Sequence, residues 1–402
     1  MRILFLSRAL PHANVIGGPI IVYNRIKRLV ERGHEVGLAT FVARQPAPAD
    51  TAELRALLLE LELVPQPVGK PRVQVYSDFL FRSIPSQFDA YLSAHMQRLV
   101  GELVGRSRYD LVIAEYTEMG QYFVRNPYLP AVRRVVSCHR CATEAYEKGI
   151  ALERSALRRV FRWVVWRKLR ACEFGVYAYG DHVLVLTPRD RDSLLKYNRA
   201  LHISVIPYGV DTQVFTLRRG RKTEEAIVFT GSYADRSNED AVLWFVRTVW
   251  PRLKAQHPDL KFYVVGPQSG ASIRTLARRD PSLVVTGRVD DIRPYLEKAR
   301  VFVCPVRMGG GFRGKILEAM ACGVPVVSTS LGAAGVPAMT GVNMFLADTP
   351  HGLAEHIGIL LSDRRLRGSI AKRARKLVLD SFAWDSCVDA LEQVLEAVMR
   401  GR

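Results

Sequence analysis

The sequence contains no apolar run that approaches the ~20 residues of a membrane-spanning helix. Its apolar start is interrupted by Arg8 soon after Leu6, which argues against a secretory signal peptide. The six cysteines are scattered, and two of them lie in predicted core elements, so we expect reduced thiols rather than disulfides. These features predict a cytoplasmic protein.

Acidic residues are scarce, because 39 Asp and Glu oppose 58 Lys and Arg, for a formal net charge of +19. Such an excess suits nucleic acid, anionic lipid surfaces or phosphate-bearing substrates. The sequence lacks zinc-finger spacing, RNP-like aromatic motifs and a basic tail, so we predict no nucleic-acid partner. Cys138 and Cys141 form a C-x-x-C pair, but no second ligand pair accompanies them, and no metal site is predicted.

The length of 402 residues is too great for one ordinary core and suits two domains of about 150–200 residues each. Near the start, residues 1–7 predict a strand, residues 20–32 a helix that ends at Gly33, and residues 36–41 a second strand. This order of elements is typical of an α/β fold.

Residues 301–329 carry the clearest local pattern. A β-branched run at 301–305 predicts a buried strand, and residues 315–322 predict a helix that Gly323 ends. The loop between them is rich in glycine, with Gly309, Gly310, Gly311 and Gly314. Another strand begins at Pro325, so the segment is half of a doubly wound sheet.

The glycine loop predicts a phosphate site. A diphosphate can approach bare backbone N–H groups there, and the positive end of the helix dipole favours its charge. Glu318 lies three residues after Lys315, so a carboxylate and an ammonium share the helix face nearest the loop. A carboxylate at this place suits ribose hydroxyls. The alternative is an ordinary crossover with a surface Glu–Lys pair.

The letters KILEAMACGVPVVST, which begin at Lys315, resemble the C-terminal signature of the retaining glycosyltransferases of family four. The resemblance implies the GT-B fold, an α/β architecture in which two Rossmann-like doubly wound domains face each other across a cleft. It also implies a nucleotide-diphosphate sugar as donor substrate, no other cofactor, and a ribose contact for Glu318. The family has a second glutamate eight residues earlier, where this chain has Gly310.

The resemblance extends to the first domain. The letters GGPIIVYNRIKRLVERGHEV resemble the opening of the same family, whose glycine loop faces the donor phosphates, and this implies a donor contact for Gly17 and Gly18. A tight turn is the alternative role of this glycine pair. His139 follows a predicted strand at its carboxyl end, where the family places a polar residue near the sugar. A purely structural histidine is the alternative.

The segment 204–211 resembles the family's VIPNGVD hinge and implies the domain boundaries. We expect residues 1–206 on the acceptor side, residues 207–380 on the donor side, and a C-terminal helix within 381–402 that crosses back. Residues 181–187 are predicted as the last strand of the first domain.

The family commonly uses an arginine and a lysine for the donor diphosphate, and these follow the first strand of the second domain. Here Gly231 lies in that loop and Arg236 is the nearest cation, without a lysine beside it. The resemblance therefore implies that Arg313 or Lys315 supplies the second charge, next to the backbone at Gly311.

Together these features predict a metal-independent hexosyltransferase with His139, Arg236 and Lys315 as catalytic residues. The expected acceptor is a lipid-linked glycan or polysaccharide precursor. Two alternatives remain open: a nucleotide-sugar epimerase, which needs no acceptor, and a non-catalytic nucleotide-sugar binding protein.

Residues 158–170, RRVFRWVVWRKLR, contain six basic residues and no acidic one. Helical spacing predicts a core-facing stripe of Val160, Phe161, Val164 and Val165. The opposite face would carry Arg158, Arg159, Arg162, Trp163, Trp166 and Arg170. Tryptophan among arginines suits an anionic membrane surface, so peripheral binding at the inner face of a membrane is predicted. The alternative is that the tryptophans pack under loops and the arginines are only solvated.

Overall fold

A computed structural model describes residues 1–13, 18–67, 84–151, 153, 155–217, 223–309 and 312–401. The chain forms two compact units. The first comprises Met1–Pro207 and Val388–Arg402, and the second comprises Tyr208–Cys387.

The first unit contains a seven-stranded sheet in the order β3-β2-β1-β4-β5-β6-β7, and all neighbouring strands are parallel. Its strands are β1 Arg2–Ser7, β2 Glu35–Val42, β3 Glu60–Pro65, β4 Leu111–Glu115, β5 Arg133–Cys138, β6 His182–Val185 and β7 Ile203–Val205. Its helices are α1 Gly18–Glu31, α2 Pro48–Leu57, α3 Ser86–Asp89, α4 Ala94–Ser107, α5 Ala142–Ala151, α6 Ala156–Ala178 and α7 Pro188–Tyr197. A 3₁₀ helix, Thr117–Phe123, follows β4.

Alternation along the central strands explains why both faces of this sheet are covered. Ile3 and Phe5 of β1 belong to one core cluster, whereas Leu4 and Leu6 belong to the other. Successive strand side chains point to opposite faces, so an apolar run supplies both cores at once. The first cluster also includes four residues of the last helix, namely Val388, Leu391, Leu395 and Val398.

The sequence predicts residues 181–187 as the last strand of the first domain, but the structure adds one more strand after it. The predicted strand is β6, and Ile203–Val205 pairs with it in parallel as the edge strand β7. The prediction was wrong because β7 has only three residues, all half-buried, and its sequence merges with the hinge-like segment that follows. Such short edge strands carry little periodic signal.

The second unit contains a six-stranded parallel sheet in the order β10-β9-β8-β11-β12-β13. Its strands are β8 Ala226–Thr230, β9 Lys261–Val265, β10 Leu283–Gly287, β11 Val301–Cys304, β12 Val326–Ser328 and β13 Phe345–Leu346. Its helices are α8 Arg236–Thr248, α9 Trp250–Gln256, α10 Ala271–Arg279, α11 Arg293–Lys298, α12 Gly314–Ala321, α13 Pro350–Ser362 and α14 Arg364–Ser381. The helix α15, Trp384–Met399, begins in this unit and continues into the first.

Gly323 ends helix α12 as predicted. Its φ of 68° lies in the left-handed region, where glycine carries no steric penalty. The N–H of Gly323 donates to the carbonyl of Met320 and the N–H of Val324 to that of Ala319, each at 2.9 Å. These two bonds satisfy carbonyls at the helix end and direct the chain into β12.

Helix α6 departs from its predicted orientation. Val160 and Phe161, predicted to face the core, are 63% and 50% exposed, as is Leu157 at 85%. The buried side chains of this helix begin only at Leu169. Helical spacing therefore identified an apolar stripe, but the side chains of its first turns are largely exposed instead of buried in a core. Within the described part of the chain, no helix combines the length and the apolar character needed to cross a bilayer.

Candidate functional site

Both sheets reverse their strand order next to their first strand, between β1 and β4 in the first unit and between β8 and β11 in the second. In open parallel sheets, ligands bind outside the carboxyl ends of the strands at such switch points. Gly18, Gly231, Lys315 and Glu318 follow these strands, and His139 follows β5, the neighbour of β4.

In the second unit, Lys315 lies in the first turn of α12, beside the loop that follows β8. Its ammonium donates a hydrogen bond to Oδ1 of Asn238 at 2.8 Å and lies 4.3 Å from the centre of the Phe229 ring. Asn238 in turn donates from Nδ2 to the carbonyl of Ser232 at 2.8 Å. The lysine is therefore held across the switch point by a side chain that is itself fixed to the loop.

Gly231 makes room for this lysine. A Cβ on Gly231 would lie 2.6 Å from Nζ of Lys315 and 2.9 Å from Nδ2 of Asn238, closer than side chains pack. Glycine at this position thus allows the backbone after β8 to approach the ammonium group directly.

Arg313 lies at the N-cap position of α12. Its guanidinium donates to the carbonyl of Met308 at 3.5 Å, and a Cβ on Gly309 would lie 3.2 Å from its Nη2. Gly309 has a φ of 89°, a conformation that favours glycine. Two cations therefore accompany the N-terminal end of α12, whose dipole also favours anions.

Glu318 lies one turn further along α12 and is half-buried. Burial raises the pKa of its carboxyl group to about 7, and the charge of Lys315 opposes this rise only in part. Burial likewise lowers the pKa of the Lys315 ammonium to about 8. Two groups with opposite charges and shifted pKa values at a switch point are typical of a ligand site rather than of a solvated surface pair.

Arg236 is the first residue of α8, and its side chain is exposed. It makes no hydrogen bond or ion pair with any residue in the described part of the chain. The structure thus brings Gly231, Arg313, Lys315 and Glu318 together but leaves Arg236 pointing to solvent. Gly310 and Gly311 lie outside the described residues, as does Gly17.

In the first unit, His139 follows β5 and contacts Glu115, the last residue of β4. Nε2 of His139 lies 2.8 Å from Oε2 of Glu115. The other carboxylate oxygen, Oε1, accepts a hydrogen bond from Nη1 of Arg25 at 2.8 Å, and the same Nη1 donates to Oγ of Ser137 at 2.9 Å. The side chains of Arg25 and Glu115 are 2% and 0% exposed, and that of His139 is 13% exposed.

The ring of Tyr116 packs against His139, with ring centres 4.2 Å apart. Tyr116 has a φ of 75°, which is strained for a side chain of this size. The guanidinium carbon of Arg8 lies over the Tyr116 ring, 4.0 Å from the ring centroid. Gly18 begins α1 beside the same tyrosine, and a Cβ on Gly18 would overlap the Tyr116 ring.

Sequence reasoning assigned no role to three of these residues, Arg25, Asn238 and Tyr116. Arg25 offered a signal, because it falls on the apolar face of α1 between Val22 and Ile26, where a charged side chain needs a buried partner. Asn238 and Tyr116 offered none, since their roles depend on contacts between distant segments. No group of three or more His, Cys, Asp or Glu in the described part of the chain is arranged to hold a metal ion.

Comparison with known proteins identifies the family. Residues 16–214 match the model of Glycosyltransferase Family 4, and residues 224–363 match that of Glycosyl transferases group 1. This chain is a family-four glycosyltransferase. Its relatives include a D-inositol 3-phosphate glycosyltransferase from Mycobacterium marinum, 26% identical over 93% of this chain and 80% of the relative. Another is a GDP-mannose-dependent alpha-(1-6)-phosphatidylinositol monomannoside mannosyltransferase from Mycolicibacterium smegmatis, 23% identical over 77% and 81% of the two chains.

Solved structures agree on the fold of this glycosyltransferase. HepE from Anabaena, solved in complex with UDP, has a TM-score of 0.70 at 16% identity and covers 99% of this chain and 100% of its own. HepE in complex with UDP-glucose gives a TM-score of 0.68 at 17% identity, with 99% and 100% covered. The predicted GT-B fold of two Rossmann-like domains is therefore confirmed, as is the predicted family.

Proposed function

We propose that this glycosyltransferase moves a hexosyl group from a nucleotide-diphosphate sugar to a lipid-linked glycan or polysaccharide precursor, with retention of configuration. The second unit would bind the donor and the first unit the acceptor. The observation that carries the proposal is the cluster of Lys315, Arg313 and Glu318 around the N-terminal end of α12, at the switch point of its sheet.

Each group in this cluster suits one part of a nucleotide sugar. The ammonium of Lys315, held by Asn238, and the guanidinium of Arg313 would neutralise the diphosphate. The Glu318 carboxylate would accept hydrogen bonds from two ribose hydroxyls, for which a carboxylate has two oxygens in suitable geometry. The half-buried setting strengthens both interactions, since less water competes for the charges.

The reaction needs stabilisation of the leaving group. As the glycosidic bond breaks, negative charge grows on the diphosphate and oxocarbenium-like positive charge on the sugar. Lys315, Arg313 and the N–H groups of α12 are fixed before the reaction, and a well-placed donor of this kind contributes about 3–4 kcal/mol to the transition state. Arg236 would join them only after its exposed side chain turns towards the diphosphate. These charges could serve without a metal ion.

Two relatives support the choice of substrates. HepE has been solved with UDP-glucose, and the mycolicibacterial relative is a mannosyltransferase that depends on GDP-mannose and acts on a phosphatidylinositol monomannoside. A sugar nucleotide as donor and a lipid-linked acceptor are therefore both represented among similar proteins.

The role of Gly18 in this reaction would be to let the Tyr116 ring approach α1, beside His139.

The first turns of α6 favour a membrane as the place of reaction. Leu157, Val160, Phe161 and Trp163 are 46–85% exposed, and arginines interleave with them. A groove of about 630 Å³ between α5 and α6 is lined by Tyr146, Phe161, Val165 and two of these arginines. We propose that this surface binds the inner, cytoplasmic face of an anionic membrane. None of the six cysteines forms a disulfide among the described residues, which agrees with a reducing compartment.

The test is transfer itself. The purified protein is incubated with labelled UDP-glucose or GDP-mannose, with and without an extract of lipid-linked glycans, and the label in the lipid fraction is measured. We expect incorporation by the wild type and by Lys376→Ala, a surface control, and a large loss in Lys315→Ala. Conversion of the donor sugar without acceptor would indicate an epimerase, and binding without conversion a non-catalytic protein. The anomeric coupling in the NMR spectrum of the product tests retention.

A further inference from the structure

Arg25 and Glu115 form a buried ion pair in the first unit. The pair lies under the carboxyl ends of β4 and β5, with exposures of 2% and 0%. Removing two charges from water costs several kcal/mol per ion, and such pairs can often be replaced by apolar side chains without loss of stability. Nη2 of Arg25 is also buried and lacks a hydrogen-bond partner among the described residues. A purely structural arginine would be expected to use all of its donors.

The geometry of Glu115 fixes the proton on His139. Arg25 occupies Oε1, so Oε2 is the oxygen that faces Nε2 of the imidazole at 2.8 Å. Although burial raises the pKa of Glu115, the charge of Arg25 and the bond with His139 lower it to about 2. The carboxyl group is therefore ionised at neutral pH and can only accept. The proton in the contact must belong to Nε2 of His139.

This arrangement leaves Nδ1 as the free ring nitrogen. No hydrogen bond to Nδ1 exists within the described residues. Packing against Tyr116 prevents the ring from rotating freely, and the Tyr116 ring is in turn held by Arg8. A neutral imidazole held in this way presents a lone pair, not an N–H, at the carboxyl end of β5.

We propose that Arg25 and Glu115 are positioning residues that hold His139 with its proton on Nε2, so that Nδ1 accepts a hydrogen bond from a hydroxyl group of the sugar substrate. The positioning of His139 involves residues of the first unit alone. The hydrogen bond from the sugar to Nδ1 rests on the proposed transferase function.

The tautomer can be read directly by NMR. Long-range ¹⁵N–¹H correlation spectra of protein labelled at its nine histidines distinguish Nε2–H from Nδ1–H, and the signal that vanishes in His139→Asn is assigned to His139. At pH 8 we expect the Nε2–H form in the wild type. We expect a mixture of tautomers in Glu115→Gln, because an amide cannot accept from both Arg25 and His139, and also in Arg25→Met.

Glu173→Gln is the matched control. Glu173 is another fully buried carboxyl group of the same unit and accepts hydrogen bonds from the backbone of Ala142 and Thr143, but it does not contact His139. Its substitution should lower thermal stability without changing the His139 signal. A wild-type His139 protonated on Nδ1, or an unchanged Nε2–H signal in Glu115→Gln, would overturn the proposal.

Activity tests the acceptor role of Nδ1. In His139→Asn the side-chain amide reaches the position that Nδ1 of the imidazole occupies. In His139→Gln the amide reaches the position of Nε2 instead. We expect His139→Asn to keep at least tenfold more kcat/KM than His139→Gln. We expect Glu115→Gln to lose about 10²-fold in kcat/KM, since a displaced imidazole is poorly oriented, while its affinity for UDP is unchanged. Greater activity of His139→Gln would refute the acceptor role. If the wild type transfers no sugar at all, the proposed function fails, and the NMR result still decides the positioning role.

Discussion

The ammonium group of Lys315 donates a hydrogen bond to Oδ1 of Asn238 over 2.8 Å, although 77 residues separate the two. Lys315 lies in the first turn of α12 and Asn238 in the first turn of α8, so the bond joins the helices that follow β11 and β8. Because β8 and β11 are parallel neighbours, the helices that follow them begin at the same edge of the sheet, and Lys315 and Asn238 meet there. The ammonium is thereby fixed in place before any phosphate arrives.

Gly231→Ala should displace this ammonium with little cost to folding. The added Cβ would lie 2.6 Å from Nζ, and the end of a lysine side chain can move away. We expect a change of melting temperature of only a few degrees but at least tenfold weaker binding of UDP-glucose or GDP-mannose, because one charge-assisted contact of about 1.5–3 kcal/mol is lost. Gly368→Ala in α14 is the control, since nothing lies within 4 Å of its Cβ. Unchanged affinity in Gly231→Ala would mean that Lys315 does not touch the donor.

Glu318→Ala should weaken nucleotide binding. Loss of two hydrogen bonds from ribose hydroxyls to a carboxylate costs about 1.5–3 kcal/mol, which corresponds to roughly 10- to 100-fold in the dissociation constant. Isothermal calorimetry with UDP and GDP measures this directly. Glu355→Ala, an exposed glutamate of α13, should leave affinity unchanged. Equal affinity of Glu318→Ala and the wild type would place the ribose elsewhere.

Donor affinity should be greatest between about pH 7 and 8. The pKa of Glu318 is raised to about 7, so its carboxylate is lost as the pH falls below that value. The pKa of Lys315 is lowered to about 8, so its charge is lost as the pH rises above that value. Each change removes one contact, and affinity should fall on both sides of the maximum.

A nucleotide sugar is the suitable probe for this pH profile, because its diphosphate diester has no ionisation near neutral pH, unlike the terminal phosphate of UDP, with a second pKa of about 6. Glu318→Gln should remove the acidic limb and leave the alkaline limb. A flat profile between pH 6 and 9 in the wild type would contradict both assignments.

Part of this site could be predicted from the sequence because its signals are local. The glycine loop, Lys315 and Glu318 lie within one strand-helix segment, and Gly323 marks its end by its own backbone preference. The position of Glu115 at a strand end is visible in the same way, because it directly follows the strand pattern of residues 109–114. Its pairing with Arg25 is not visible, because the contact spans 90 residues and depends on how α1 packs on the sheet.

The orientation of α6 shows a second limit. Periodicity separates the apolar stripe from the basic face, but it does not say which neighbour covers the stripe. Val160 and Phe161 were therefore predicted to face a core, although the buried side chains of α6 begin only at Leu169. Arg236 is likewise suited by its position in sequence to bind phosphate, but that position alone does not determine where its exposed side chain lies.

Transfer activity should survive a chelator. Lys315, Arg313 and the N-terminal end of α12 supply the positive charge that a metal ion would otherwise bring to the diphosphate. We expect the rate of label transfer to change less than twofold after dialysis against EDTA, whereas Lys315→Ala should remain inactive when magnesium or manganese is added. Activity that is abolished by EDTA and restored by either ion would contradict this prediction.

Membrane binding through α6 should depend on where its charges lie and not on the net charge of the protein. Arg158, Arg159 and Arg162 are exposed beside the stripe of Leu157, Val160 and Phe161. Each basic residue near an anionic surface contributes about 1 kcal/mol, so changing all three arginines to Gln should reduce partitioning about 10²-fold. Co-sedimentation with vesicles that contain anionic lipid measures this, and added salt should weaken the binding of the wild type.

Two further variants separate charge from apolar insertion. Changing Arg364, Arg365 and Lys372 of α14 to Gln removes the same three charges from another exposed helix and should leave most of the binding. Leu157→Ser with Phe161→Ser keeps every charge but removes apolar side chains that are 85% and 50% exposed. We expect this double variant to bind less tightly and to lose its residual binding more readily in salt, because electrostatic attraction is all that remains. Equal pelleting of all four proteins, or of none, would show that this surface does not bind a membrane.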